Sequence, residues 1–175
     1  MKILRAGEAH LAAIAALARS RSLSQLEDAT ARREGFLVSG YDEHVYRARL
    51  SAAEHFHVAM ENGTVIGFVL AYSNLHFDAD EWLNHHVAKE LGQILVVKQV
   101  CVSRGAADSG VGSRLYRYIL DRWTTTPVVA AVVAEPNNEA SAAFHTKHGF
   151  TIMLSLRPQD GRLRNVWVRP RPTAP

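Results

Sequence analysis

The segment Val100-Cys101-Val102-Ser103-Arg104-Gly105-Ala106-Ala107-Asp108-Ser109-Gly110-Val111-Gly112-Ser113-Arg114-Leu115 carries the main chemical signal of the chain. A β-branched run feeds a loop of small residues that opens a helix. The first N–H groups of such a helix lack internal partners, and with the helix dipole they form an anion site. Gly110 and Gly112 would let backbone approach a phosphate with no Cβ between. Two nucleotide patterns fail here. A P-loop needs Lys-Ser/Thr where Val111-Gly112 stands, and a Rossmann fingerprint needs glycine where Leu115 stands. A pyrophosphate held by backbone donors, as in coenzyme A sites, remains. So does an ordinary helix start whose glycines serve loop geometry.

A second cluster follows at Asn138-Glu139-Ala140-Ser141-Ala142-Ala143-Phe144-His145-Thr146-Lys147-His148-Gly149-Phe150. It resembles a signature of the GNAT superfamily of N-acetyltransferases. Asn138, Ser141, Phe144, Gly149 and Phe150 match in spacing, and His145 takes the place of a tyrosine. The cluster lies one helix and one strand beyond Gly110-Val111-Gly112, as in that superfamily. The resemblance covers about residues 64–168, and the first 60 fit it more weakly. Two positions differ: His145 itself, and Ala107, where an Arg or Gln is usual three residues before the first glycine. Arg104 sits earlier in the loop.

The resemblance implies a single mixed α/β sheet of six or seven strands with one splayed pair and about four helices. It implies acetyl-CoA as co-substrate and no metal. Val100, Cys101 and Val102 would offer backbone groups to the pantetheine arm and the thioester. The amides of Asp108, Ser109, Gly110, Val111, Gly112 and Ser113 would hold the pyrophosphate. Asn138 would bond the arm, with Ser141 and Phe144 beside it. His145 would either protonate the leaving thiolate or pack near the cofactor without proton transfer. The base for the incoming amine is open between Glu135, just past a strand, and Glu81, in a polar insert. The implied function is an acyl-CoA-dependent N-acyltransferase moving acetyl to a primary amine of a small molecule or peptide. The alternative is a non-catalytic CoA-binding module of the same fold. Homodimerisation is an expectation from the family alone.

Periodicity supplies the elements that must position these residues. Residues 2–5 read as a strand, 8–20 as a helix, 35–40 as a turn or short extended piece, and 42–53 as a helix with Asp42 as N-cap. Residues 55–61 and 64–72 form a hairpin across Asn62-Gly63, which tolerates positive φ. A helix is expected over 80–91, a buried strand over 94–102, a helix over 113–123 and a strand over 128–134. A helix over 138–148 ends at Gly149. A last hairpin joins 151–156 to 162–168 through Asp160-Gly161.

Other residues invite other chemistry. His55 and His57 share one strand face without a third ligand, so no metal site is expected. Cys101 reads as a small core hydrophobe rather than a nucleophile, and Trp123 and Trp167 as core anchors. Trp82 with its acidic neighbours reads as an acceptor pocket or as a solvated helix with one buried tryptophan.

Composition bounds the whole. The 175 residues are 47% apolar and 21% charged, enough for one domain that buries roughly 70% of its unfolded surface. That domain spans 1–168, with a proline-rich extended tail over 169–175. A net charge of +3 without a basic run argues against nucleic acid as partner. No apolar run of about 18 residues suggests a membrane span. A lone cysteine excludes an intrachain disulfide framework. A cytoplasmic setting is expected.

Overall fold

The computed structural model describes residues 1–38 and 40–171. One seven-stranded sheet runs in the order β1-β2-β3-β4-β5-β7-β6. Its strands are β1 (Lys2–Arg5), β2 (His55–Glu61), β3 (Thr64–Ser73), β4 (Leu95–Val102), β5 (Val128–Val133), β6 (Thr151–Leu156) and β7 (Arg164–Arg169). The helices are α1 (Leu11–Ser20), α2 (Asp28–Glu34), α3 (Glu43–Ala52), α4 (Trp82–Leu91), α5 (Val111–Leu120) and α6 (Glu139–Lys147). Among the described residues no helix is long and apolar enough to cross a membrane.

Three apolar clusters sandwich the sheet. On one face α1 and α3 bury Leu11, Ile14 and Tyr46 against Phe56, Phe68 and Leu70. On the same face α4 packs Leu83 and Val87 against Val96 and Val129. On the other face α5 packs Leu115, Tyr116 and Ile119 against Val69, Leu95 and Ala130, joined by Phe144 of α6. Leu115, Tyr116 and Ile119 are fully buried, and each such side chain contributes about 1.5–3 kcal/mol.

One relationship makes the site. Parallel β4 and β5 pair only at Leu95↔Val128 and Val96↔Val129 and then diverge. β5 keeps β7 on its far side along its whole length. The divergence leaves a slot between β4 and β5, as the splayed pair predicted from the sequence requires. Gly67 sets α5 against this slot. A Cβ there would stand 2.9 Å from the Cys101 carbonyl oxygen and 3.1 Å from Val111, so only glycine lets α5 begin so close to the sheet.

Most predicted elements form, with shifted ends. Asn62 (φ 48°) and Gly63 (φ 77°) make the β2–β3 turn. Asp42 precedes α3, although its side chain makes no capping bond. α5 begins at Val111 instead of 113, because Gly110 adopts φ 79° and turns the chain into the helix two residues early. Among the described residues there are six α-helices where about four were expected. The unforeseen α2 is a short, arginine-rich helix with little apolar periodicity. Arg169 lies in β7, so the sheet claims the first residue of the predicted tail. Residues 172–175 of that tail lie outside the described residues.

Candidate active site

Two cavities line the slot, of about 480 Å³ and 560 Å³. Phe36, Leu37, Val100 and Ser141 belong to the walls of both. The two cavities adjoin, and the strap that follows α2 is a wall of each. Asn138 holds the strap: its Nδ2 donates to the Phe36 carbonyl at 3.3 Å, and its Oδ1 accepts from the Ser141 amide at 3.2 Å to cap α6. Expected to bond a cofactor arm, Asn138 is buried and has both polar atoms engaged within the protein.

The larger cavity meets the N-terminus of α5. Asp108, Gly110, Val111, Gly112 and Ser113 line it, and Ser109 lies beside them with its hydroxyl on the Ala106 carbonyl at 2.6 Å. Intrahelical bonding starts with Arg114 N–H to the Gly110 carbonyl at 3.0 Å, so the amides of residues 111–113 have no acceptor within the helix. Open space lies where a Gly110 Cβ would point. A Cβ on Gly112 would instead meet the Phe144 ring at 3.4 Å and Val102 at 3.5 Å, ordinary contact that packing of α5 on α6 accommodates.

β4 contributes alternate residues. The Ser103 amide bonds the Ile66 carbonyl at 2.9 Å, so in the antiparallel ladder Cys101 also pairs toward β3. The backbone groups of Val100 and Val102 then face the slot, while Cys101 points its sulfur at the Leu17 carbonyl. Burial pushes the Cys101 thiol up to about 12, which suits a core residue. The expectation that Cys101 offers backbone groups to the cofactor fails on this alternation.

The smaller cavity has Glu81 on its wall, with Trp82, Lys98 and Tyr41. A bulge places Glu81's partners. Leu70 pairs with Gln99 but Ala71 with Val97, which leaves Lys98 outside the ladder. Lys98 and Gln99 therefore lie on one face. Gln99 accepts from the Tyr46 hydroxyl at 2.7 Å, and Lys98 Nζ reaches Glu81 at 2.6 Å. The Tyr72 hydroxyl donates to the same Glu81 oxygen at 2.5 Å. Burial opposes the charge on Glu81, but Lys98 and the Tyr72 bond outweigh it and hold the carboxyl below its ordinary pKa. Arg49, paired with Asp78, lies over the Tyr72 ring at 4.2 Å and fixes it. Trp82 is 46% exposed at the cavity rim and stacks on His86, so it is no buried anchor.

Glu135 does not reach either cavity. Its carboxylate pairs with Arg157 at 2.7 Å on the surface. His145 lines the smaller cavity, yet both ring nitrogens are engaged. Nδ1 lies 2.7 Å from the Ser141 carbonyl, which can only accept, so Nδ1 carries the proton. Nε2 then accepts from the Tyr116 hydroxyl at 2.8 Å. Burial holds His145 down to about 4. Sequence reasoning missed the cationic group Arg21, Arg33, Arg104 and Lys147 around the larger cavity, because its members come from four separate segments.

The sequence profile of the acetyltransferase (GNAT) family matches residues 20–150. The chain belongs to the GNAT acetyltransferase family. The match runs from the end of α1 through the Gly149-Phe150 close and takes in every wall of the slot up to α6. No curated protein sequence matches this acetyltransferase. Solved structures do. It is similar to smu.2055 from Streptococcus mutans UA159 (TM-score 0.72, 16% identity, 97% of this chain and 99% of that one). It is also similar to the ribosomal-protein-alanine N-acetyltransferase of Brucella melitensis (TM-score 0.66, 20% identity, 97% and 99%). A third is Arabidopsis thaliana Naa50 in complex with the bisubstrate analogue CoA-Ac-MVNAL (TM-score 0.67, 16% identity, 96% and 97%). At these identities the likeness speaks to the fold. The GNAT architecture expected from Gly110-Val111-Gly112 and Asn138–Phe150 is the architecture found. Among the described residues no three His, Cys, Asp or Glu side chains gather as metal ligands.

Proposed function

We propose that this acetyltransferase moves an acetyl group from acetyl-CoA to a primary amine by direct attack on the thioester. One observation carries the reading. A cavity lined by unpaired amides and cations adjoins a second one that presents the Glu81 carboxylate, and the two share Phe36, Leu37, Val100 and Ser141 as walls. The phosphates of the cofactor fit the amides of residues 111–113. The arm would run along the slot-facing backbone of Val102 and Val100, whose amide would steady the developing oxyanion. The acceptor amine enters beside Glu81. Its ammonium gives one proton to Glu81 through water, and its nitrogen then bonds the acetyl carbon. A second proton passes from that nitrogen to solvent water as the intermediate collapses and the C–S bond breaks. The sulfur departs with the bonding pair. An alkyl thiol with a pKa of about 8.5 leaves without a protein acid. His145 therefore serves as a positioning residue in this mechanism. Its proton faces the Ser141 carbonyl instead of the slot.

The pairing of Glu81 with Lys98 and the Tyr72 hydroxyl, which holds its carboxyl below its ordinary pKa, favours the second reading, a CoA-binding module without catalysis. Thermal unfolding with acetyl-CoA, CoA and ATP, followed by thiol release over a panel of amines and peptides, separates the two. Saturating CoA should raise the midpoint by roughly 5–10 °C, with ATP inert. A rise without thiol release from any amine points to the module. No rise with either CoA form overturns both.

A further inference from the structure

The carboxylate of Glu34, last residue of α2, is gripped by three arginines at the wall of the larger cavity. Arg21 Nη1 lies 2.8 Å from it, Arg33 Nη2 3.1 Å and Arg104 Nε 3.5 Å. The three arginines differ in kind. Arg21 is buried, and its second nitrogen donates to the Glu34 and Gly35 carbonyls at 2.7 and 3.3 Å, so it belongs to the fold. Arg33 and Arg104 have side chains 71% and 59% exposed and no such anchor. Both line the larger cavity, with Lys147 across from them on α6. Hydrogen bonds from Arg21 and Arg33 hold the Glu34 carboxyl below its ordinary pKa, so it is ionised.

This arrangement bears on Ala107. The loop has no side-chain donor there, and Arg104 stands three residues earlier, in a short 3₁₀ turn (Arg104–Ala106). We propose that Arg33 and Arg104 are phosphate ligands for acyl-CoA, and that Glu34 occupies them as an internal counter-anion until the cofactor arrives. The inference rests on the functional reading above. A phosphate offers more charge than a carboxylate and accepts the guanidinium fork in two parallel bonds, so it wins the two exposed arginines. Glu34 is not orphaned by the exchange, since Arg21 stays with it. The exchange couples α2, and the strap beyond it, to cofactor binding.

The test is the dissociation constant of CoA and of 3′-dephospho-CoA, measured calorimetrically for wild type, R33A, R104A and E34Q. Loss of one charge-assisted phosphate contact should weaken CoA about tenfold in R33A and in R104A. E34Q should bind CoA at least as tightly as wild type. Weakening confined to CoA assigns the arginines to the 3′-phosphate, and equal weakening of both ligands assigns them to the pyrophosphate. Either supports the proposal. If wild type binds CoA and both arginine variants bind it within a factor of two of wild type, the proposal is overturned. If wild type binds no CoA, the functional reading itself falls. Should E34Q fail to fold, the exposed Arg33 and Arg104 still decide the matter.

Discussion

The Tyr116 hydroxyl donates to Nε2 of His145 at 2.8 Å, and this bond fixes what the histidine does. It occupies Nε2, while the Ser141 carbonyl holds the proton on Nδ1. The ring lies within an aromatic cluster, edge-on to Phe150 and stacked at 5.9 Å from Trp167. It joins α5 to α6 across the floor of the slot.

Acid should weaken the fold through such rings. His145 and His57 are both buried and held down to about 4, against 6.5 in the unfolded chain. Between those values the unfolded chain takes up protons that the native state refuses. Stability is therefore full above pH 6.5 and is lost as pH falls toward 4. Each ring should contribute a loss of about 2 kcal/mol between pH 7 and pH 5. Urea unfolding at both pH values measures it, and H57F should remove about half of the drop from this pair.

The two candidate bases should separate cleanly. E81Q is expected to lower kcat about 100-fold, the scale of general-base catalysis, with little change in CoA affinity. E135Q breaks only an exposed pair with Arg157 and should change stability by less than about 0.5 kcal/mol. Steady-state thiol release compares them. An E135Q defect with an intact E81Q would move the acceptor end of the site.

Two glycines two residues apart should behave differently. G110A forces φ 79° on an L residue and should cost about 1 kcal/mol or more, and CoA binding should fall about tenfold as the loop shifts. G112A meets Phe144 and Val102 at 3.4 and 3.5 Å, ordinary contact distances, and should leave CoA affinity within a few fold. Binding and unfolding midpoints of both variants settle the contrast.

Asn138 is expected to act through the fold. N138A removes the α6 cap and the tie to Phe36, at a cost of about 1–2 kcal/mol, or a midpoint lower by about 3–6 °C. N138S should restore the cap but not the tie. Proteolysis near residues 35–37 should then be faster in both variants than in wild type, while the midpoint of N138S recovers.

The sequence by itself determined the elements and the family. Periodicity marks β2 to β7, Asn62-Gly63 marks a turn, and Gly110-Val111-Gly112 with Asn138–Phe150 marks the family, because local conformational preference and motif spacing are written along the chain. Only the tertiary structure decided which groups face the slot. Glu81, just before α4, and Glu135, just past β5, are both carboxylates in connecting segments, and nothing local tells them apart. A bulge at Lys98 brings partners to Glu81, while Arg157 keeps Glu135 on the surface. Likewise His145 stands in the tyrosine place of its motif, yet its role depends on Tyr116, 29 residues away on another helix. The arginines around Glu34 come from positions 21, 33 and 104. Protonation and charge pairing depend on neighbours in space, and the chain order does not encode those neighbours.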